Sequence, residues 1–258
     1  MDIKGRVVVV TGGASGIGEA LCRAFAKTGA REVVVADFNE AGAKEVADEC
    51  GGVAMNCDVT IEDDIARVVR DTEAKFGRID IFCSNAGIMH YDNTHVASSP
   101  DEHWQRAWDI HVMAHVCAAR AVLPSMIERG EGYFVNTASA AGLLSQIGST
   151  TYTVTKHAAI GFAECLAIAH GDDGIRVSVV CPQAVNTPMI DGVEGGVASV
   201  DGAIEPEEVA ESVMDAIGEE RFLVLPHPVV QDYIQRKTSD YERWIKGMRR
   251  LRARYAES

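Results

Sequence analysis

Val7-Val8-Val9-Val10-Thr11-Gly12-Gly13-Ala14-Ser15-Gly16-Ile17-Gly18 is the stretch that decides the fold. Four consecutive valines read as a strand buried on both faces, since a half-exposed strand alternates apolar with polar residues. Gly12, Gly16 and Gly18 follow, and then a helical pattern over Glu19–Lys27. Glycine lets backbone approach an anion with no Cβ in the way. Amide N–H groups and the dipole at the start of a helix attract that anion. Three glycines alone are weak evidence. A strand before them and a helix after supply the context that a pyrophosphate cradle requires. Ser15 and Ile17 fall between the glycines and are counted in the cradle.

The rest of the chain repeats the alternation. Strands are expected at Val33–Ala36, Val53–Asn56, Ile79–Ser84, Tyr133–Thr137, Val177–Cys181 and Phe222–Leu225. Helices are expected over Glu40–Cys50, about 61–76, as a pair filling 101–129, and over about 151–170 and 206–218. A charged helix near 229–253 follows. Strands alternating with helices imply βαβ units, and right-handed crossovers give a doubly wound parallel sheet in an α/β fold. With no low-complexity linker and no repeat, residues 1–258 are expected to form a single dinucleotide-binding domain. The long irregular piece, Asn186–Glu205, carries Gly192, Gly195, Gly196 and Gly202 and reads as a mobile lid.

Composition narrows the functional class. The chain is 47% hydrophobic but only 6% aromatic, so its core is mainly aliphatic. A net charge of −14 argues against nucleic acid as a partner. The charge is uneven: residues 229–258 hold eight Lys/Arg against four acids, a net +4 that leaves −18 on the remainder. The basic tail is read as a surface helix docking on the acidic body or a neighbouring subunit. Seven cysteines without a C-x-x-C spacing argue against a disulfide framework and a metal site. They suit a reducing compartment, and a cytoplasmic location is expected. Met1 leads almost directly into a strand, so no signal peptide is expected. Nor does any apolar stretch approach the length of a membrane span without polar breaks.

Several residues fall at strand carboxyl ends, where open α/β sheets bind ligands. Asp37 lies 19 residues after Gly18 and ends the second strand. An acid at that spacing accepts hydrogen bonds from ribose hydroxyls and repels a 2′-phosphate. No Lys or Arg stands at 13–15 or 38–39 to offset the repulsion, so NAD is expected over NADP, with Phe38 beside it. Asp58 and Val59 end the third strand, and Asn85-Ala86-Gly87 the fourth. Each could be a plain turn, but in series they are expected to line one groove.

A second group points to proton transfer. Ser139 follows the fifth strand, Tyr152 comes 13 residues later, and Lys156 sits one helical turn beyond. A phenol is too weak a base at neutral pH, and a nearby ammonium favours its charged form. Tyr152 is then expected to exchange a proton with a substrate hydroxyl while hydride passes to or from a nicotinamide. Ser139 would hold the substrate oxygen.

Taken together, Thr11-Gly12-x-x-x-Gly16-x-Gly18, Asp58, Asn85-Ala86-Gly87, Ser139, Tyr152-x-x-x-Lys156 and Pro182…Thr187 resemble the classical short-chain dehydrogenase/reductase family. The resemblance covers nearly the whole chain. It implies a Rossmann sheet of about seven parallel strands, NAD(P)-dependent alcohol–carbonyl chemistry, and homodimers or homotetramers paired through the helices near 101–129 and 151–170. It also implies that Thr187 meets the nicotinamide carboxamide, with Pro182 and the backbone near Val185 beside it. The sequence departs from the family twice. His111 stands where the family has an Asn that helps hold a relay water, and is expected either to titrate near neutrality in that relay or simply to pack. Gln183 replaces the usual Gly after Pro182 and is expected to contact substrate.

The residues after Ser139 (Ala140 to Leu144), those after Gly87 (Ile88 to Tyr91), and Met189, Ile190 and Val193 are mostly apolar. With no Arg or Lys evident among them, a neutral, hydrophobic secondary alcohol or its ketone is the expected substrate. The alternatives are an NADP-dependent reductase of a ketone or keto-thioester, and a non-catalytic nucleotide-binding protein.

Overall fold

A computed structural model describes residues 1–92, 94–190 and 200–256. It contains one seven-stranded parallel sheet in the order β3-β2-β1-β4-β5-β6-β7. The strands are β1 (Val7–Thr11), β2 (Glu32–Asp37), β3 (Val53–Asn56), β4 (Ile81–Ser84), β5 (Gly132–Thr137), β6 (Ile175–Val180) and β7 (Leu223–Val224). The order reverses between β1 and β4, so the loops after these strands part there and open a crevice.

The valines of β1 show why the sheet is covered on both sides. Val8 and Val10 pack with Leu21 and Phe25 of α1 (Gly16–Lys27), Val46 of α2 (Glu40–Cys50) and Val213 of α8 (Pro206–Glu219). Val9 faces the other way. It shares a core with Ile65 and Val68 of α3 (Glu62–Phe76), Val122 of α5 (Ala114–Arg129) and Ala163 of α7 (Thr150–His170). Successive side chains on a strand point to opposite faces, so an unbroken apolar run serves two helix layers at once.

The elements differ from the sequence expectation in three places. α4 (Asp101–Trp108) runs into α5 through a π-helical turn, Asp109–Met113, in which the Ala114 amide donates to the Asp109 carbonyl. The resulting helix, Asp101–Arg129, is long and apolar enough to cross a membrane, although His111, His115 and Arg120 break its apolar run, as the sequence reading held. Just over half of its apolar window is buried. It packs against α3 and α7 as a core helix. A short helix, α6 (Ala141–Leu144), precedes α7. The tail is not one helix but two, α9 (Val229–Ser239) and α10 (Tyr241–Ala256). They break at Asp240, whose carboxylate accepts from the Arg243 amide as an N-cap does.

At the base of the expected lid, Val185 pairs with Ile204, and Pro188–Ile190 forms a 3-10 turn. The lid residues Asp191, Gly192, Val193, Glu194, Gly195 and Gly196 lie outside the described residues.

Candidate active site

The carboxyl ends of the strands open into a continuous cleft of about 1470 Å³. At one end lie Gly12, Ser15, Gly16 and Ile17. Ser15 caps α1 without a side-chain bond, which leaves first-turn amides of that helix for an anion. Gly12 has φ +66°, a left-handed conformation suited to glycine, and a Cβ there would stand 2.8 Å from the Ala86 Cα. Gly18 does not line the cleft: a Cβ on it would strike the Gly12 carbonyl oxygen at 1.9 Å, so it serves the close packing of loop on helix.

Asp37, Phe38, Asp58 and Val59 line the same end. The Asp37 carboxylate is 7% exposed and accepts from the Ala14 and Asn39 amides at 3.1 and 2.9 Å. Asn85, Ala86 and Gly87 come next. The Asn85 side chain is engaged by protein: its amide donates to the Thr11 and Gly12 carbonyls, and its oxygen accepts from the Thr137 hydroxyl at 3.0 Å. It therefore clamps the loops after β1, β4 and β5 together.

Ser139, Tyr152 and Lys156 line the same cleft with Pro182, Val185 and Thr187, and the Pro182 carbonyl accepts from the Ser139 hydroxyl at 3.4 Å. Tyr152 and Lys156 project from one turn of α7 and are 8% and 2% exposed. The Lys156 Nζ donates to the Thr137 carbonyl at 2.9 Å and lies 5.5 Å from the centre of the Tyr152 ring. The Ser139 hydroxyl accepts from the Ala141 amide at 3.1 Å.

Burial dominates the charge states here. It pushes the Tyr152 phenol up to about 12, against the opposing pull of the Ser139 hydroxyl, and pulls the Lys156 ammonium down to about 8. The expected lowering of the phenol by its lysine is not what the site gives: withdrawal from water disfavours both charged forms, and among the described residues the only opposing pull on the phenol comes from Ser139. Tyr152 is accordingly neutral at pH 7.

His111 does not line the cleft. Its Nε2 accepts from the Ile88 amide at 3.0 Å, and its Nδ1 lies 2.8 Å from the Thr155 hydroxyl. The ring is fully buried, and burial, with Lys156 nearby, holds its pKa well below the usual histidine value. Titration near neutrality, as the sequence suggested, is not what this environment gives. Gln183 lines the cleft, but its amide donates to the Asp201 carboxylate at 3.0 Å. Tyr233 of α9 donates to the other oxygen of Asp201 at 3.0 Å.

The expected apolar wall is present in Ile88, Met89, Ala140, Ala141, Leu144 and Met189. Sequence reading missed the far wall, which α10 builds with Arg243, Trp244, Met248, Arg250, Leu251 and Arg254, joined by Tyr233 and Arg236 of α9. The inference that no arginine faces the site is corrected. The basic tail returns over the cleft because Trp244 packs in a small core with Ala140, Leu144 and Val230, and Lys237 donates to the Leu143 carbonyl at 2.5 Å.

A glycine cradle and a Ser-Tyr-Lys group share this one cleft. The short chain dehydrogenase family model matches residues 6–196. The chain belongs to the short chain dehydrogenase family. It is 35% identical over 233 residues to 1-deoxy-11-beta-hydroxypentalenate dehydrogenase of Streptomyces arenae, covering 86% of this chain and 82% of that protein. It is 31% identical to the mitochondrial borneol dehydrogenase of Lavandula x intermedia, covering 89% and 90%. A short chain dehydrogenase/reductase from Burkholderia phymatum, solved in complex with NAD, superimposes with a TM-score of 0.85 at 25% identity, covering 94% of this chain and 96% of that one. Family membership accounts for the seven-stranded sheet and makes this an oxidoreductase fold with a nicotinamide site.

Proposed function

We propose that the protein is an NAD-dependent dehydrogenase that interconverts a secondary alcohol and its ketone. The observation that carries this reading is that Ser139, Tyr152 and Lys156 share one cleft with the Gly12–Ile17 cradle. The dinucleotide fits the residues present. The free amides at the start of α1 would hold its pyrophosphate, and Asp37 would accept from the adenosine ribose hydroxyls while repelling a 2′-phosphate. Two relatives are named as dehydrogenases of a hydroxy compound and of borneol, and a solved relative binds NAD, which supports the choice of chemistry and cofactor.

A nicotinamide cofactor held in this cleft would supply hydride-transfer chemistry at the carbinol carbon. The chain's own residues govern the proton and the geometry. Ser139 hydrogen-bonds the substrate oxygen and fixes it beside Tyr152. In the reducing direction the neutral Tyr152 hydroxyl donates its proton to that oxygen as it becomes an alkoxide. Donation leaves a phenolate, which the Lys156 ammonium stabilises; in the oxidising direction that phenolate takes the substrate's hydroxyl proton and returns to the neutral phenol. Thr137 anchors Lys156 through its carbonyl. Ile88, Met89 and Leu144 exclude water and hold an apolar substrate body.

Following NADH absorbance while a panel of secondary alcohols is offered with NAD, and then with NADP, tests the reading. Turnover with NAD by the wild type supports it. Turnover confined to NADP overturns the cofactor assignment, and no turnover with any alcohol or ketone overturns the enzymatic one.

A further inference from the structure

We infer that the substrate is an amphipathic anion: an apolar alcohol or ketone that carries a carboxylate or phosphate at the end away from Tyr152. This rests on reading the cleft as a dehydrogenase site, and names the class of molecule the site takes.

The inference rests on the face that α10 turns to the cleft. Trp244, Met248 and Leu251 recur at helical spacing and form an apolar stripe along the wall. Arg243, Arg250 and Arg254 recur beside them at seven and four residues, on the same face. A ligand lying along this wall meets hydrocarbon and guanidinium together. Arg106 of α4 and Arg236 of α9 line the cleft as well.

Most arginines of the body are paired with acids, while Arg31 and Arg129 bond backbone carbonyls instead. Arg6, Arg23, Arg67, Arg78, Arg176 and Arg221 each pair with a carboxylate. Among the described residues, none of the five cleft arginines makes an ion pair with an acid. Asp201, the acid lining this end, has both oxygens occupied by Gln183 and Tyr233. The α10 end of the cleft therefore carries five arginines against the one carboxylate of Asp201, inside a protein of net charge −14. A wall on which one sign of charge predominates concentrates ligands of the other sign. Guanidinium groups suit carboxylate and phosphate oxygens alike, through paired N–H donors.

Size agrees. The cleft, at about 1470 Å³, exceeds the roughly 300–1,000 Å³ typical of a site for one small molecule. Room remains beside a dinucleotide for a body that reaches from Tyr152 to α10.

The test measures calorimetric affinities for dodecanoate, dodecyl phosphate and dodecanol at saturating NADH. The proteins are the wild type, the triple variant R243Q/R250Q/R254Q, and the charge-matched triple K246Q/R249Q/R252Q, whose residues lie on the same helix away from the cleft. The wild type and the matched variant are expected to bind at least one of the anions about tenfold more tightly than dodecanol. The first variant is expected to lose that preference. The ratio of the two anions tells carboxylate from phosphate. Equal affinity for anions and alcohol in the wild type, or equal loss in both variants, overturns the inference. NADH affinity is measured first for each protein: failure to bind NADH sinks the dehydrogenase reading, while an anion preference that persists without it leaves the basic wall standing.

Discussion

The Nδ1 of His111 lies 2.8 Å from the Oγ1 of Thr155, and this contact ties the π turn to the helix that carries Tyr152 and Lys156. Thr155 donates its own proton to the Thr151 carbonyl at 2.7 Å, so it accepts from His111. The other ring nitrogen accepts from Ile88. The imidazole is thus fixed as the neutral Nδ1–H form, with both nitrogens engaged. It ties Ile88 to the first turns of α7.

His111→Leu should therefore act on stability and substrate placement. It leaves the Ile88 amide without its acceptor, which costs about 1–3 kcal/mol in urea denaturation. His111→Asn should keep the wild-type midpoint in the pH profile of kcat/KM. A midpoint near the ordinary histidine value that vanishes in His111→Asn would place the ring in the proton path after all.

One turn further along, His115 is 2% exposed, and neither ring nitrogen has a partner among the described residues. Burial drives its pKa down to about 3. The unfolded chain takes up the proton first, so stability is complete above about pH 6.5 and falls as pH drops from there towards 3. Between pH 7 and 5 the loss from this residue should be about 2 kcal/mol. Urea midpoints for His115→Leu should show a flatter acid limb than wild type, and identical limbs would count against a buried neutral ring.

Asp37 offers a direct test of cofactor choice. Asp37→Ser removes the charge that opposes a 2′-phosphate while keeping an oxygen near the Ala14 amide. Fluorescence titration should show the preference for NADH over NADPH falling by about tenfold or more. An unchanged ratio would mean that another residue sets the preference.

Gln183 is tied to Asp201, and Asp201 to Tyr233 of α9. The chain after the lid is thereby fastened to the substrate wall. Gln183→Ala and Tyr233→Phe should each raise KM for substrate several-fold with little change in kcat, because they loosen the wall and leave Tyr152 and Lys156 in place. A fall in kcat at constant KM would instead put Gln183 beside the reacting oxygen.

Much of this site is legible in the sequence because it is local. The valine run, the glycines after it and the four-residue step from Tyr152 to Lys156 are each set by neighbours along the chain, and the sheet then brings their carboxyl ends together. Ser139 and Asp37 follow from the same rule. The π turn at Asp109–Met113 carries no composition signal, since it depends on how α4 and α5 meet α7. The break at Ser239-Asp240 did carry one, a capping residue within a helical pattern, and the charged run around it masks the signal. The arginines of α10 are spaced as one helix face, but which surface that face covers is decided by Trp244, packed far along the chain against Ala140 and Leu144. The charge states of Tyr152 and Lys156 needed the structure too, because desolvation depends on burial that no local pattern reveals.

The central claim is that the Tyr152 hydroxyl carries the proton. Single-turnover hydride transfer from the best alcohol of the panel to NAD by Tyr152→Phe, with NAD binding confirmed, measures it directly. The account requires a loss of about 10²–10⁴-fold in that step with cofactor affinity retained. Transfer at the wild-type rate by the phenylalanine variant would contradict it.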